Sequence, residues 1–123
     1  MQLTEHRNAH QLFIRRADAT SVTVIDRALT ASVVVSANAV VENFPYTKPD
    51  QLDDAAIETI AREKPEVVLL GTGEKIVFPP QRFLAGFLRR GIGIETMDSA
   101  AVARTFNVLI GEGRKAVAVF LIG

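Results

Sequence analysis

The run Val67-Val68-Leu69-Leu70 ends in Gly71-Thr72-Gly73, and this junction is the first place where residue types and spacing suit chemistry. In an open α/β sheet, ligands gather at the carboxyl ends of parallel strands, where backbone N–H groups and helix N-termini face them. Two glycines let an anion approach such donors closely, and Thr72 adds a hydroxyl. The established phosphate signatures are incomplete here. A dinucleotide fingerprint and a phosphate loop both place a glycine where Ile76 stands. The plainer reading is a tight strand exit that needs positive φ.

A second constellation lies further on. Arg104 and Asn107 stand three residues apart, a spacing that puts them on one face of a helix, and Glu112 and Arg114 follow in a glycine-flanked turn. Arginine beside asparagine grips a carboxylate or a phosphate through forked donors, but neither is a nucleophile, and Glu112 is the only evident base. The competing reading is a structural network in which Arg104 pairs with Glu112 or with backbone carbonyls. Met97, on the turn before this helix, reads as packing more readily than as a ligand contact.

Other chemistries are limited by composition. There is no cysteine, so disulfides, thiolate nucleophiles and cysteine-ligated metals are excluded. The two histidines, His6 and His10, fall in a polar N-terminal stretch, and residues 1–20 are expected to be partly flexible. No cofactor is implied. Cations and anions balance at 14 each, so no overall field attracts nucleic acid or anionic lipid. Ten of the cations are arginine, suited to local recognition of carboxylate or phosphate, but Arg15-Arg16 is too short for a nucleic-acid patch. No apolar run approaches the roughly 20 residues of a membrane span, and no secretory or transit signal is evident, so the expected location is cytoplasmic.

Positioning these groups requires a scaffold. Leu12–Arg15 and Ser21–Ile25 read as short strands, Asp26-Arg27 as a turn, and Thr30–Ser36 as a strand buried on both faces. Asn43–Asp50, with Pro45, Pro49, Phe44 and Tyr46, reads as a packed loop. Asp53 caps a helix running to about Lys64, with Leu52 and Ile57 spaced as a hydrophobic staple. After the Val67–Leu70 strand, Pro79-Pro80 opens a helix from Gln81 to Arg90, with Phe83, Leu84, Phe87 and Leu88 on one face. Arg89-Arg90 suits that helix's C-terminal dipole. Ile92–Thr96 is a strand, Asp98 or Ser99 caps a helix to about Ile110, and Lys115–Ile122 is a last apolar strand. The order predicts a single three-layer α/β domain over 1–123, with a mixed, mostly parallel central sheet and N-terminal strands that are partly antiparallel.

Three segments, in order, carry a resemblance over nearly the whole chain from about Ser21. They are Val67-Val68-Leu69-Leu70-Gly71-Thr72-Gly73, Gly91-Ile92-Gly93-Ile94-Glu95-Thr96-Met97, and Ala103-Arg104-Thr105-Phe106-Asn107-Val108-Leu109 with Glu112-Gly113-Arg114. Together they resemble an archaeal-prototype, Mth-type α/β domain family of unknown function, whose members include respiratory complex I assembly factor three and an adipogenesis-associated protein. The resemblance implies a three-layer fold, no established enzymatic activity and, for a short chain such as this, a bacterial member. The family often has tyrosine where Phe106 stands and cysteine where Ala103 stands, so a role for that hydroxyl or thiol does not carry over.

The expected function is a non-catalytic binding or assembly domain, monomeric or homodimeric, holding a protein partner in a cleft formed by Gly71, Thr72, Gly73, Met97, Arg104, Asn107, Glu112 and Arg114. The alternative is a small-molecule site, even an enzymatic one, for a phosphate- or carboxylate-bearing ligand on the Gly71–Gly73 loop and Arg104.

Overall fold

Alternation along each strand of the central sheet decides which helix covers which face. The computed structural model describes residues 11–123, so His6 and His10 lie outside the described residues. A three-stranded antiparallel sheet comes first, formed by β1 (Ile14–Ala17), β2 (Val22–Val24) and β3 (Arg27–Leu29). A five-stranded sheet follows, made of β4 (Val33–Val35), β5 (Val40–Val41), β6 (Val67–Gly71), β7 (Gly93–Met97) and β8 (Ala116–Phe120) in the order β5-β4-β8-β6-β7. β6 runs parallel to both β7 and β8, whereas β4 is antiparallel to β8 and β5 to β4. The sheet is therefore mixed, as the element order implies.

Three helices complete the layers: α1 (Asp54–Ala61), α2 (Gln81–Leu88) and α3 (Ser99–Gly111). Leu69, Ala116, Ala118, Phe120, Val33 and Val35 face α3 and the small sheet, packing with Phe106, Val102, Ile110, Ile14, Val22 and Val24. Val68, Leu70, Val117, Val119 and Val34 face the opposite side and pack with Ile57 and Ile60 of α1 and Phe83 and Phe87 of α2. Strands buried on both faces explain the near-continuous valine and leucine runs. Each fully buried phenylalanine or leucine contributes about 1.5–3 kcal/mol.

The helix starts follow local rules. The Asp53 side chain accepts the Ala56 N–H and that of Asp98 accepts the Ala101 N–H, each at the N-cap of its helix. Leu52 and Ile57, the expected staple, are both buried in the same core. Phe44 is buried against Tyr46, with ring centroids 4.7 Å apart, and Pro49–Gln51 adds one 3-10 turn to the expected loop.

Several boundaries differ from the sequence reading. β1 is Ile14–Ala17 rather than Leu12–Arg15, because Asn107 fixes the backbone of Ile14 and the pairing with β2 bulges between Ile14 and Arg16. Arg27 begins a strand instead of completing a turn, and the hairpin tip is Ile25-Asp26, with Ile25 at φ 58. A β-branched residue is unfavourable in that region, which is why the tip is invisible to turn statistics. Lys64, at φ 55, ends the α1 turn, and the regular helix stops at Ala61. α2 stops at Leu88, whose side chain is 64% exposed rather than on the buried face with Phe83 and Phe87.

Candidate functional site

The carboxyl end of β6 meets the amino end of α3, and there the polar groups of the Gly71–Gly73 segment find partners within the protein. The Thr72 N–H donates to the Met97 carbonyl at 3.1 Å, and the Gly73 N–H to Ser99 Oγ at 2.9 Å. The Ser99 N–H returns a bond to the Gly73 carbonyl at 2.8 Å. Thr72 Oγ1 donates to the Lys75 carbonyl at 2.6 Å and accepts the Val77 N–H at 3.0 Å.

The glycines have mechanical reasons. A Cβ on Gly71 would lie 3.0 Å from Ser99 Oγ and 3.3 Å from both Ser99 Cα and Val102 Cγ2, and Gly73 sits at φ +91. Ser99 is fully buried. Sequence reasoning weighed it only as a cap, and its place at the first turn of α3, facing a glycine exit, was the available signal. Met97 is half-buried beside it, and its Sδ accepts the Thr105 hydroxyl at 3.7 Å.

Midway along α3 the side chains of Arg104 and Asn107 line one groove, as their spacing predicts. Asn107 is committed to structure. Its Oδ1 accepts the Ile14 N–H and its Nδ2 donates to the Ile14 carbonyl, both at 2.8 Å, so the amide clasps β1 like one link of a neighbouring strand. Across the groove the bulged strand presents Arg15 and Arg16. Arg15 Nε donates to the Ile25 carbonyl at 2.7 Å, and its guanidinium lies 5.7 Å from the Phe13 ring centre.

The groove has a volume of about 240 Å³, with Ala17, Ala100 and Ala103 among its walls. No carboxylate lines it among the described residues, and none of Arg15, Arg16 and Arg104 forms a salt bridge there. α3 itself holds no acidic residue, so Arg104 has no partner on its own helix. The nearby carboxylate of Asp18 is engaged in its turn. The Thr20 N–H, the Ser21 N–H and the Thr20 hydroxyl hold it below the ordinary carboxylate range, with a smaller contribution from Arg16.

Glu112 and Arg114 stand at the carboxyl end of α3, about 20 Å from its amino end and about 12 Å along the axis from Arg104 at a rise of roughly 1.5 Å per residue. Glu112 is the exposed C-cap residue. Arg114 Nε binds Glu66 Oε1 at 3.2 Å, and the Lys115 N–H reaches the same oxygen at 2.8 Å. These two donors, the Lys115 N–H foremost, lower the Glu66 pKa. The eight residues singled out from the sequence thus occupy three places along α3. The middle place, joined by Arg15 and Arg16, borders a groove without a lining carboxylate, whereas Arg114 at the far end borders a cavity of about 330 Å³ that Glu63 also lines. Among the described residues no cluster of three or more histidine, cysteine or acidic side chains could hold a metal ion.

Comparison with known proteins places this arrangement in a family. Residues 14–121 match the family model described as a protein of unknown function (DUF498/DUF598). The chain belongs to the DUF498/DUF598 family. A Xanthomonas campestris protein solved by NMR is 36% identical, with a TM-score of 0.86 over 100% of this chain and 93% of that one. A Bordetella pertussis protein, described as a Mth938-like domain, is 22% identical with a TM-score of 0.76 over 89% of this chain and 85% of that one, a likeness of fold. A Francisella tularensis protein named "13 kDa major membrane protein" is 31% identical over 71 residues, 53% of this chain and 58% of that relative. The match with this curated relative therefore spans little more than half its length. The family has no established catalytic function.

Proposed function

We propose that this DUF498/DUF598 member is a non-catalytic binding domain whose Arg15, Arg16 and Arg104 groove holds a carboxylate-bearing segment of a protein partner. The observation that carries this reading is that Arg15, Arg16 and Arg104 line one groove with no lining carboxylate among the described residues. Like charges so arranged repel one another until an anion joins them, and arginine's fork matches a carboxylate or phosphate in two hydrogen bonds. Arg104 is the clamp, Arg15 and Arg16 face it, and Asn107 positions β1. Gly71, Thr72, Gly73, Met97 and Ser99 seat the amino end of α3, while Glu112 and Arg114 lie at its other end.

The groove's 240 Å³ is smaller than the roughly 300–1,000 Å³ typical of sites that enclose a metabolite, which favours a side chain of a larger partner. Three arginines make no extended basic stripe, which disfavours nucleic acid. An assembly role of the kind the mitochondrial relatives have is one instance of this reading. We assign the domain to the cytoplasm, as a monomer or homodimer. The name of the Francisella relative fits that assignment as attachment at a membrane surface, because no helix of the described residues is long and apolar enough to cross one.

The test is an NMR titration that follows the arginine Nε–Hε resonances. A glutamate-rich peptide is expected to shift Arg15, Arg16 and Arg104, its glutamine counterpart to leave them unmoved, and Arg104→Glu to abolish the response. Shifts with inorganic phosphate but not with the peptide would transfer the site to a phosphorylated small molecule. A flat titration with both would overturn the binding reading.

A further inference from the structure

A second surface stands apart from the arginine groove. Of the six large apolar side chains exposed among the described residues, four lie in one stretch: Ile76 (52%), Val77 (49%), Phe78 (70%) and Leu88 (64%). Their backbone is held. Thr72 Oγ1 ties the loop at Lys75 and Val77, and Pro79 is buried behind Phe78. Three consecutive apolar side chains are therefore presented to solvent by a loop tied to Thr72 at two points, which lowers the backbone entropy lost on binding.

Charge is segregated in the same stretch. Residues 75–94 contain Lys75, Arg82, Arg89 and Arg90 and no acidic residue, with Glu74 and Glu95 flanking the stretch and Asp54 and Glu58 lining a cavity beside Arg89 and Arg90. Arg90 is paired with Glu58, while Lys75, Arg82 and Arg89 form no salt bridge among the described residues. On α2, helical spacing groups Gln81, Arg82, Ala85, Leu88 and Arg89 on the outward side, with Phe83, Gly86 and Phe87 buried opposite. Cationic heads beside a protruding apolar tip are the pattern of a surface that docks on anionic headgroups and inserts into the acyl boundary.

We infer that the Ile76-Val77-Phe78 loop and the outer side of α2 form a peripheral docking face for an anionic lipid bilayer. Ile76, Val77 and Phe78 enter the interface, and Lys75, Arg82 and Arg89 meet the phosphates. A protein surface would need a matching cavity for the tip and acidic groups around it; a bilayer supplies both wherever the loop lands. The assignment does not depend on the arginine groove, because the two surfaces share no residue.

The chain lacks tryptophan, so Phe78→Trp provides a fluorescence reporter without background. Vesicles of phosphatidylcholine with phosphatidylglycerol are expected to shift its emission to the blue and to co-sediment the wild-type protein, with binding weakened by salt. Vesicles of phosphatidylcholine alone are expected to bind much less. Ile76→Asp with Phe78→Asp should lower partitioning about tenfold or more, and Arg82→Glu with Arg89→Glu comparably. Val108→Asp, on an exposed apolar residue of α3, should leave it unchanged, and circular dichroism should show every variant folded. Absence of wild-type binding at low salt would overturn the inference, as would a loss equally produced by Arg104→Glu. Light scattering that shows a dimer dissolved by Phe78→Asp, without vesicle binding, would assign the face to a second copy of the chain instead.

Discussion

At its amino end α3 faces the Gly71–Gly73 strand exit, and the hydrogen-bonding groups of Thr72, Gly73 and Ser99 described there are paired inside the protein. One turn further along, Arg104 faces Arg15 and Arg16 with no carboxylate lining the space between them. The first region has the address of a binding site, since the C-terminal ends of strands are where α/β folds place ligands. The second has three cationic side chains with no carboxylate lining the space beside them. Donors that are already bonded must break those bonds to receive a ligand, whereas the guanidinium N–H groups that hold no partner, those of Arg15 beyond its Nε bond to Ile25 included, give up only water. Topology alone thus does not say which of two neighbouring surfaces keeps its polar groups open.

The contrast is broken most forcefully at Asn107. Asn107→Leu leaves the N–H and carbonyl of the 2%-exposed Ile14 without partners, and a loss of about 2–4 kcal/mol in denaturant unfolding is expected. A loss below about 0.5 kcal/mol would show that the clasp is not structural and would return Asn107 to the groove as a free ligand contact. Ser99→Ala comes next. It removes the acceptor of the Gly73 N–H, and about 1–3 kcal/mol is expected to be lost. Unchanged stability there would mean that this donor readily finds another partner and is available to an anion after all.

Smaller still is the contribution of Glu66, which ties Arg114 and the β8 approach together at the far end of α3. Its pKa is lowered in the folded state, so its stabilising effect is present above the ordinary carboxylate pKa and is lost as pH falls through the folded value. Thermal melts should show wild type ahead of Glu66→Gln at neutral pH, with the gap closing in acid. A gap that widens in acid would contradict the assignment. Smallest of all is Arg104→Ala, expected to change stability by no more than about 0.5 kcal/mol because Arg104 is exposed and without a salt bridge among the described residues. A larger loss would show that Arg104 supports the fold, and the comparison between the two regions would collapse.

Much of the scaffold was legible because it is local. Asp53 and Asp98 cap their helices through N–H groups three residues on, and the Leu52–Ile57 staple acts over a comparably short distance. Arg27–Leu29 was missed because a three-residue strand with one buried side chain carries no usable alternation, and its pairing is fixed by an unfavourable Ile25. Leu88 was misplaced because apolar periodicity marks a face that can be buried but does not say where the packing partner ends.

By itself the sequence determined the class of fold, the order of its elements and the absence of cysteine chemistry, because periodicity, capping and composition are properties of neighbouring residues. Arg104 and Asn107 were recognisable as a pair for the same reason. Only the tertiary structure decided their roles. Asn107 turned to the backbone of Ile14, 93 positions away, Arg114 turned to Glu66, and Arg104 was left facing the two arginines of a bulged strand. Which polar groups a fold consumes and which it leaves open depends on contacts between segments far apart in the chain. Those contacts are selected by the burial of the whole core, in which no single polar residue has a deciding share.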